Sequence, residues 1–489
     1  MKNFGKLLRT YIERSGYTNY GIAQKANVNR TTLQKILANE RIPSQEFMDR
    51  IFPLLKLTPE ESCELLSVFE IMQTGESLFA QRRSIKQMLE SISDITRSLT
   101  VNTAADAHSS MQSSPDISLT EEIHYGRYEV GILLTDLITR ECAGPSPTVR
   151  ISLPANIGFF KQIFLQTIRY CPNKENLTIQ HLTCFLKADT DNISPAPNLD
   201  ILANILPFLA SPIFNYEVYY YYNNYLISDA GRTAFPYYVL FSDTVVLLSA
   251  DGNTAIPFQK TDMLFYFNNL FEAALQNSNP FITSCPHPED VLPHLIGMDM
   301  DNKPFYSLEF QPCITAYLTE RMLRTYANPD IENYETALEL TAIRINQLKN
   351  MDQHVSIFSK AGLLHFSETG LISDFPSGYM IPLSVRDRIT ILEALYQDIY
   401  TGKHNHRLVN PLIFPISQHL ICHLHQDAGL DFSSYELSGN SYHYIHIEER
   451  TLLDAFGDFF QYMINSPLVY SKEDTLTAVR TFIENLKNI

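Results

Sequence analysis

Short amphipathic helices are the main pattern of the amino-terminal residues. Between residues 18 and 37, apolar side chains recur at helical spacing in two groups, which are Ile22, Ala23 and Ala26, and then Leu33, Ile36 and Leu37. Asn27 lies between the groups, where a tight turn needs a left-handed backbone, and Asn29 is placed to cap the second helix. Residues 45–71 predict two more helices, the second of which begins after Thr58 and Pro59.

A longer helical pattern follows at residues 76–99. It carries a seam with alternating spacings of three and four, formed by Leu78, Gln81, Ile85, Met88, Ile92, Ile95 and Leu99. About three heptads is the lower limit for a coiled coil, so two interpretations stay open: a dimerisation helix, or an amphipathic helix packed on its own chain. The connector is predicted at 73–99, and the small, polar residues 100–120 predict a flexible linker.

After residue 120 the pattern changes to short strands alternating with helices, which predicts a large α/β (α+β) region. The predicted strands are 149–154, 177–187 and 214–225, followed within 236–256 by strands separated by turns at Ser242–Asp243 and Asp251–Gly252. The predicted helices are 157–170, 199–210 and 261–275. Near the carboxyl end, strands near 412–425 and 441–448 are again followed by a helix, at 450–464, as the strands of 236–256 are followed by the helix at 261–275. A duplicated unit is therefore one alternative, with halves at 121–300 and 301–489.

The outward face of the second short helix carries the first candidate chemistry. Its polar-facing positions are Arg30, Thr31, Gln34, Lys35 and Ala38. Arg and Gln form paired hydrogen bonds with purine edges, Thr contacts a base or the thymine methyl group, and Lys attracts phosphate. The pattern predicts a DNA interface, whose candidate residues are Asn19, Asn29, Arg30, Thr31, Thr32, Gln34, Lys35 and Arg41.

Over roughly the first 60 positions these residues resemble the Xre/Cro-like helix-turn-helix family of bacterial and phage regulators. The matching positions are Thr18, Asn19, Ile22, Ala23, Val28, Leu33, Ile36, Pro43 and Ser44. Asn27 and Asn39 stand where the family usually has Gly, and Asn19 replaces a Gln that often contacts phosphate. The resemblance implies an all-α DNA-binding domain at 1–72; the alternative is a small helical domain that only packs.

Charge is distributed unevenly along the chain. Residues 1–60 contain ten Lys or Arg and five Asp or Glu, which is a net charge of +5. Because the whole chain has a net charge of −17, the remaining residues carry a net charge of −22. The amino-terminal domain is therefore the part suited to phosphate. We find no apolar run of membrane-spanning length and no signal sequence, and the seven cysteines are scattered, so we expect a cytoplasmic protein with reduced thiols.

The order of strands and helices in residues 121–489 resembles the phospholipase-D-like fold, in which two similar halves pack about a pseudo-twofold. That fold also serves as a non-catalytic effector domain in some prokaryotic regulators. Its catalysis needs paired HxK motifs, yet none of the 14 histidines has Lys two places on. GxSxG, GxxxxGK[ST], HExxH and GxG motifs are absent as well, so we expect no enzymatic activity, no catalytic residues and no cofactor.

Histidines near the carboxyl end form the second candidate cluster. They are His404, His406, His419, His423, His425, His443 and His446, with Cys422 between two of them. His419, His423 and His425 have even spacing, which puts them on one strand face opposite Cys422. Imidazoles on a shared face could bind zinc or a similar metal, but no carboxylate or Cys stands at a compact ligand spacing. We therefore expect no metal site, with these imidazoles as polar positions of a sheet.

Together these patterns predict a cytoplasmic, multidomain, sequence-specific DNA-binding transcriptional regulator that binds double-stranded DNA as a homodimer. Its carboxyl-terminal region would sense a small-molecule or peptide effector, with no membrane partner. One alternative is a helix-turn-helix regulator with a helical peptide-sensing repeat domain, which needs a repeat of about 34 residues. Another is a hydrolase tethered to DNA.

Overall fold

A computed structural model shows two compact units, Met1–Arg83 and Ser84–Ile489. The structure describes residues 3–100, 121–157, 160–186, 196–209, 214–222, 234–284, 288–298, 303–351, 353–375, 378–416, 418, 421–435 and 442–488. The predicted linker, apart from Thr100, and His419 lie outside these residues. No helix in the described part combines the length and the hydropathy needed to cross a bilayer.

The described part of the first unit contains five complete α-helices and the start of a sixth. The five are α1 (Phe4–Arg14), α2 (Asn19–Lys25), α3 (Arg30–Leu37), α4 (Gln45–Ile51) and α5 (Pro59–Thr74), with a 3₁₀ turn at Phe52–Leu54. A local side chain starts each of them, because Asn3, Thr18, Asn29, Ser44 and Thr58 each accept a hydrogen bond from a backbone N–H of the first turn. Asn27 has φ 52° and Asn39 has φ 57°, so the left-handed backbone predicted at Asn27 is confirmed.

The connector is a single helix, α6 (Glu76–Thr100). Ile85, Met88 and Leu89 are buried in the hydrophobic core of the second unit. The first part of the predicted seam thus packs on its own chain, while the side chains from residue 92 onward lie outside the description. Dimerisation through this helix stays a prediction.

The second unit contains two mixed sheets. The strands of the first are β1 (His124–Tyr125), β2 (Thr148–Ser152), β3 (Thr178–Phe185), β4 (Asn215–Tyr222), β5 (Tyr237–Leu240), β6 (Val245–Leu248), β7 (Thr254–Phe258) and β8 (Asn279–Pro280). Those of the second are β9 (Thr283–Ser284), β10 (Phe305–Glu309), β11 (His354–Phe358), β12 (Arg407–Leu408), β13 (Ile421–His425), β14 (Gly429–Tyr435) and β15 (Tyr442–Ile447).

Helices cover both sheets. Those that follow strands of the first sheet are α7 (Arg127–Cys142), α8 (Phe160–Tyr170), α9 (Ala196–Leu209) and α10 (Thr261–Gln276). Those associated with the second are α11 (Pro288–Gly297), α12 (Glu320–Tyr326), α13 (Tyr334–Lys349), α14 (Lys360–Thr369), α15 (Val385–Thr401), α16 (Arg450–Ile464) and α17 (Lys472–Lys487). A 3₁₀ turn at Lys174–Asn176 precedes β3, and another at Thr315–Tyr317 follows β10.

Six strands of each sheet have the same order and the same relative directions. In the first sheet β2, β3 and β4 are parallel neighbours, and the antiparallel series β5, β6, β7 continues from the other side of β2. In the second sheet β10, β11 and β12 are parallel, and β13, β14, β15 continue from β10 in the same way. The chain is therefore multidomain with mixed sheets, and the repeated element order extends to repeated strand topology.

The predicted boundary at residue 300 differs from the sheet assignment. β9 pairs with β15, so residues 283–284 already belong to the second sheet. The two sheets also rule out an all-helical repeat array for this region. Each sheet turns an apolar face into one shared core, in which Ile151 and Phe160 of the first half lie with Leu424 and Phe456 of the second.

Candidate functional site

The predicted DNA-contacting residues lie on the surface of the first unit. Asn19, Asn29, Arg30, Thr31, Gln34, Lys35 and Arg41 are exposed, and Thr32 is half-buried. Leu33, Ile36 and Leu37 are buried on the opposite side of α3, as the spacing predicted. Helical periodicity thus separates a packing face from a polar face on this eight-residue helix.

Two local contacts order the polar face of α3. The Asn29 side chain accepts a hydrogen bond from the Thr31 N–H at 2.8 Å, and the Arg30 guanidinium lies 5.9 Å from the Tyr20 ring centroid. Within the described residues neither Arg30 nor Lys35 forms an ion pair, whereas Arg50 of the same unit is paired with Glu46. The charges of Arg30 and Lys35 remain available to an anionic partner.

The outward side of the second sheet, which we call the polar face, carries a row of polar side chains. Ser307, His423, Asp431 and His446 are direct cross-strand neighbours on β10, β13, β14 and β15. Because side chains alternate along a strand, Cys422 and Leu424 point to the opposite, apolar side. His423 and His425 therefore share a face opposite Cys422, as the spacing predicted.

Asp431 is the centre of this row. Its Oδ1 atom accepts hydrogen bonds from the Tyr444 hydroxyl at 2.8 Å and from His446 Nδ1 at 2.7 Å. Its Oδ2 atom lies 3.3 Å from His425 Nε2, without the angles of a hydrogen bond. His425 stacks on Phe305, with ring centroids 4.6 Å apart.

Two carboxyl groups meet beside His423. Glu309 Oε1 accepts a hydrogen bond from His423 Nε2 at 2.8 Å, and the Glu309 and Asp374 carboxyl groups are close enough to affect each other's pKa. Burial raises the pKa of Glu309 to about 7, and burial together with the neighbouring Glu309 carboxyl raises the pKa of Asp374 to about 8. Thr315 donates a further hydrogen bond to Asp374. This pair retains a proton near neutral pH.

A cavity of about 520 Å³ borders the carboxyl pair. One stripe of α13 lines it, comprising Thr336, Ala337, Leu340, Thr341, Arg344 and Leu348. Asp374 and His423 contribute polar groups, and most other walls are apolar or aromatic, with Phe305, Phe375 and Tyr379 among them. Volumes of this size and mixed lining are typical of small-molecule sites.

A second histidine cluster lies at the parallel edge of the same sheet. His354, His404 and His406 are buried, and their nearest ring nitrogens lie within 4.8 Å of one another. His406 Nδ1 accepts from the Ser356 N–H at 3.1 Å, and its Nε2 contacts the Tyr317 hydroxyl at 3.1 Å. Burial lowers the pKa of His406 to about 3, so this imidazole is neutral.

The structure thus divides the histidines that the sequence grouped. His404 and His406 lie with His354, whereas His423 and His425 lie with Asp431 and His446. The side chain of His443 lies outside the description. Sequence reasoning missed His354, Asp431, Glu309, Asp374 and Arg344. A signal for Asp431 existed, because a tight hairpin after His425 would place Asp431 opposite His423.

No protein-family model matches the chain, and no curated protein matches it either. Among solved structures it is similar to phosphatidylserine synthase from Haemophilus influenzae Rd KW20, with 11% identity over 75% of this chain and 94% of that chain and a TM-score of 0.24. That protein is an enzyme by name, which contradicts our expectation of a chain without enzymatic activity, and the expectation is corrected here. The match assigns no substrate or residue to this chain.

Proposed function

We propose that the protein is a sequence-specific DNA-binding transcriptional regulator of the Xre/Cro-like helix-turn-helix type. The observation that carries the proposal is the polar face of α3, where Arg30, Gln34 and Lys35 are exposed together and the two cations have no ion pair in the described part of the chain. Arg and Gln side chains on one helix face suit purine edges in the major groove. The net charge of +5 over residues 1–60 supports attraction to phosphate.

The effector region in this proposal is the second half of residues 121–489. Its cavity of about 520 Å³ offers an apolar volume with polar groups at Asp374, His423 and Arg344. A ligand held there would favour one arrangement of the surrounding helices. Where that arrangement has a different affinity for DNA, ligand binding and DNA binding are coupled. Two copies of the chain would read an inverted repeat with half-sites about one helical turn apart.

Selection of genomic DNA fragments on the full-length protein tests the proposal. The test variant carries Arg30→Ala, Gln34→Ala and Lys35→Ala. The matched control carries Lys6→Ala and Arg9→Ala, which also removes two positive charges, in this case from exposed positions of α1. We expect the native protein and the control to enrich one short inverted repeat, and the test variant to lose that enrichment.

Two salt concentrations separate specific recognition from general phosphate attraction, since phosphate contacts make affinity fall steeply with salt. Equal recovery of random DNA by all three proteins, or no recovery by any, would refute sequence recognition by α3. Loss in the control variant alone would move the interface to α1.

A further inference from the structure

We propose that His423, His425 and Asp431 bind a divalent transition-metal ion at the polar face of the second sheet. The nearest possible ligand atoms of these three residues lie within 4.8 Å of one another. His425 Nε2 and Asp431 Oδ2 are 3.3 Å apart, which is about the separation of two ligands on one ion with bonds near 2.1 Å. The inference is independent of DNA binding.

Free lone pairs distinguish this group from an ordinary polar network. Neither ring nitrogen of His425 has a hydrogen-bond partner among the described residues, although the side chain is 98% buried. Asp431 Oδ2 likewise lacks a hydrogen bond within the described part. Buried polar atoms without a partner destabilise a fold, whereas an ion coordinated by His425 Nε2 and Asp431 Oδ2 would satisfy two of these three atoms.

The surrounding residues orient these ligands as metal sites require. Glu309 accepts the Nε2–H of His423 at 2.8 Å, which leaves the Nδ1 lone pair of that ring for an ion. The Tyr444 hydroxyl and His446 Nδ1 both donate to Oδ1 of Asp431, which holds the carboxylate with Oδ2 toward His425. Carboxylates behind ligating imidazoles, and donors behind ligating carboxylates, are regular parts of metal centres.

Glu309, Asp374 and Asp431 supply three carboxyl groups to this face, and the Arg344 guanidinium and the His446 ring, which donates to Asp431 and Glu448, lie beside them. Glu309 and Asp374 share a proton, so the types of the ligand atoms, and not the net charge, indicate which ion fits. Two imidazoles and one carboxylate are a set that suits Zn²⁺ or Fe²⁺ rather than Ca²⁺ or Mg²⁺.

The other histidine cluster is less suited to an ion. His406 uses Nδ1 as an acceptor for the Ser356 N–H, so its Nε2 carries the proton that faces Tyr317. His406 therefore has no lone pair to offer while these bonds persist. His354, His404 and His406 consequently serve as the comparison in the test.

The position of the site gives the ion a role toward the cavity. His425 and Asp431 are buried behind the cavity wall, whereas His423 is part of that wall. Three protein ligands leave at least one coordination position open, as in catalytic rather than structural zinc sites. The open position would accept water or an oxygen donor, such as a carboxylate, from a ligand in the cavity.

Metal binding to the purified full-length protein tests this assignment. The protein is stripped with a chelator and titrated with Co²⁺ followed by electronic absorption, and zinc content is measured after loading. X-ray absorption on the zinc-loaded native protein counts imidazole ligands without any mutation. We expect one ion per chain with two imidazoles and the remaining ligands oxygen.

Variants then locate the ion. His425→Phe preserves stacking on Phe305, and we expect it and Asp431→Asn to weaken Co²⁺ affinity at least about tenfold. Glu309→Gln should weaken it about tenfold through His423, and the matched control His354→Phe should leave it unchanged. A circular dichroism spectrum and a thermal transition confirm that each variant folds.

Three results would overturn the proposal. They are a folded native protein that binds neither Co²⁺ nor Zn²⁺ at micromolar concentration, a zinc-loaded protein with three imidazole ligands, and loss of binding in His354→Phe with retention in His425→Phe. The last two would assign the ion to His354, His404 and His406 instead.

Discussion

The two sheets of the second unit share one topology but differ in the chemistry of their outward faces. The first sheet turns an apolar surface toward α10, where Leu182, Tyr238, Leu240, Val245 and Phe271 are buried together. The second sheet turns His423, His425, Asp431 and His446 toward α11 and α13 and borders a cavity there. Strand order thus determines which positions face outward, while residue type decides whether that face is core or site.

One arginine on each side illustrates the difference. Arg150 of β2 forms hydrogen bonds with Gln180 and Asn268 and an ion pair with Glu272 at 2.8 Å, so its charge is compensated at a half-exposed position. Arg344 of α13 is buried and lines the cavity. The arginine of the first sheet thus belongs to a packed surface, whereas the arginine beside the second sheet is part of a cavity wall.

Truncation of a large side chain should give the largest difference in unfolding free energy between the packed outward face of the first sheet and the cavity beside the second. Phe271→Ala removes a fully buried ring from the outward face of the first sheet, and we expect the free energy of unfolding to fall by about 3–5 kcal/mol. Leu340→Ala in α13 should cost only about 1–2 kcal/mol, because this side chain already borders a cavity and loses fewer contacts. Scanning calorimetry of the full chain measures both. Equal losses would mean that the second face is packed as densely as the first.

A protonation test addresses the inward side of the first sheet. His181 of β3 is fully buried on the side opposite Leu182, next to Phe160 of the shared core; its Nε2 donates to the Leu153 carbonyl and its Nδ1 accepts from Tyr216. Burial lowers its pKa from 6.5 to about 4. Between these two pH values the unfolded chain binds the extra proton, so stability falls as the pH falls through this window, by roughly 3 kcal/mol in total.

His181→Leu should remove that part of the pH dependence. We expect the native protein to lose stability more steeply than the variant between about pH 6.5 and pH 4, as measured by calorimetry at several pH values. Identical slopes in the two proteins would show that His181 is not kept neutral by burial. Histidines of the second sheet titrate in both proteins and cancel in the difference.

Features that depend on local sequence were predicted well. Asn29 and Thr58 cap helices through their own side chains, and Asn27 takes the left-handed turn, because each effect involves residues at most a few positions apart. The helix Arg450–Ile464 has the bounds that its periodicity predicted. Amphipathic spacing also separated the buried and exposed sides of α3.

The polar face of the second sheet could be predicted only in part. The spacing of His423 and His425 placed them on one face, but pairing with Asp431 required the hairpin register. Glu309 and Asp374 meet across 65 positions of sequence, and His354 reaches His404 and His406 through strand pairing. Contacts of this range depend on the assembled sheet, which no local pattern specifies.

A glycine on the polar face offers a smaller test. A Cβ at Gly429 would lie 1.9 Å from His446 Cε1, so Gly429→Ala must displace the imidazole that bonds to Asp431. We expect a loss of about 1–3 kcal/mol in unfolding free energy. The matched control is Gly457→Ala in α16, where the nearest atom would be 3.8 Å away and helix propensity favours Ala by about 1 kcal/mol. Destabilisation by both changes would exclude His446 as the specific cause.

The smallest expected effect comes from adding volume. Ala337→Leu extends a side chain of α13 into the cavity of about 520 Å³, and we expect the unfolding free energy to change by less than about 1 kcal/mol, since no neighbour has to move. Ala274→Leu of α10 places the same extra atoms beside the packed face of the first sheet and should cost about 1–3 kcal/mol. Calorimetry of the two variants compares the faces directly. If Ala337→Leu were the more destabilising change, the cavity would be a packed part of the second half, and the outward faces of the two sheets would differ in polarity alone.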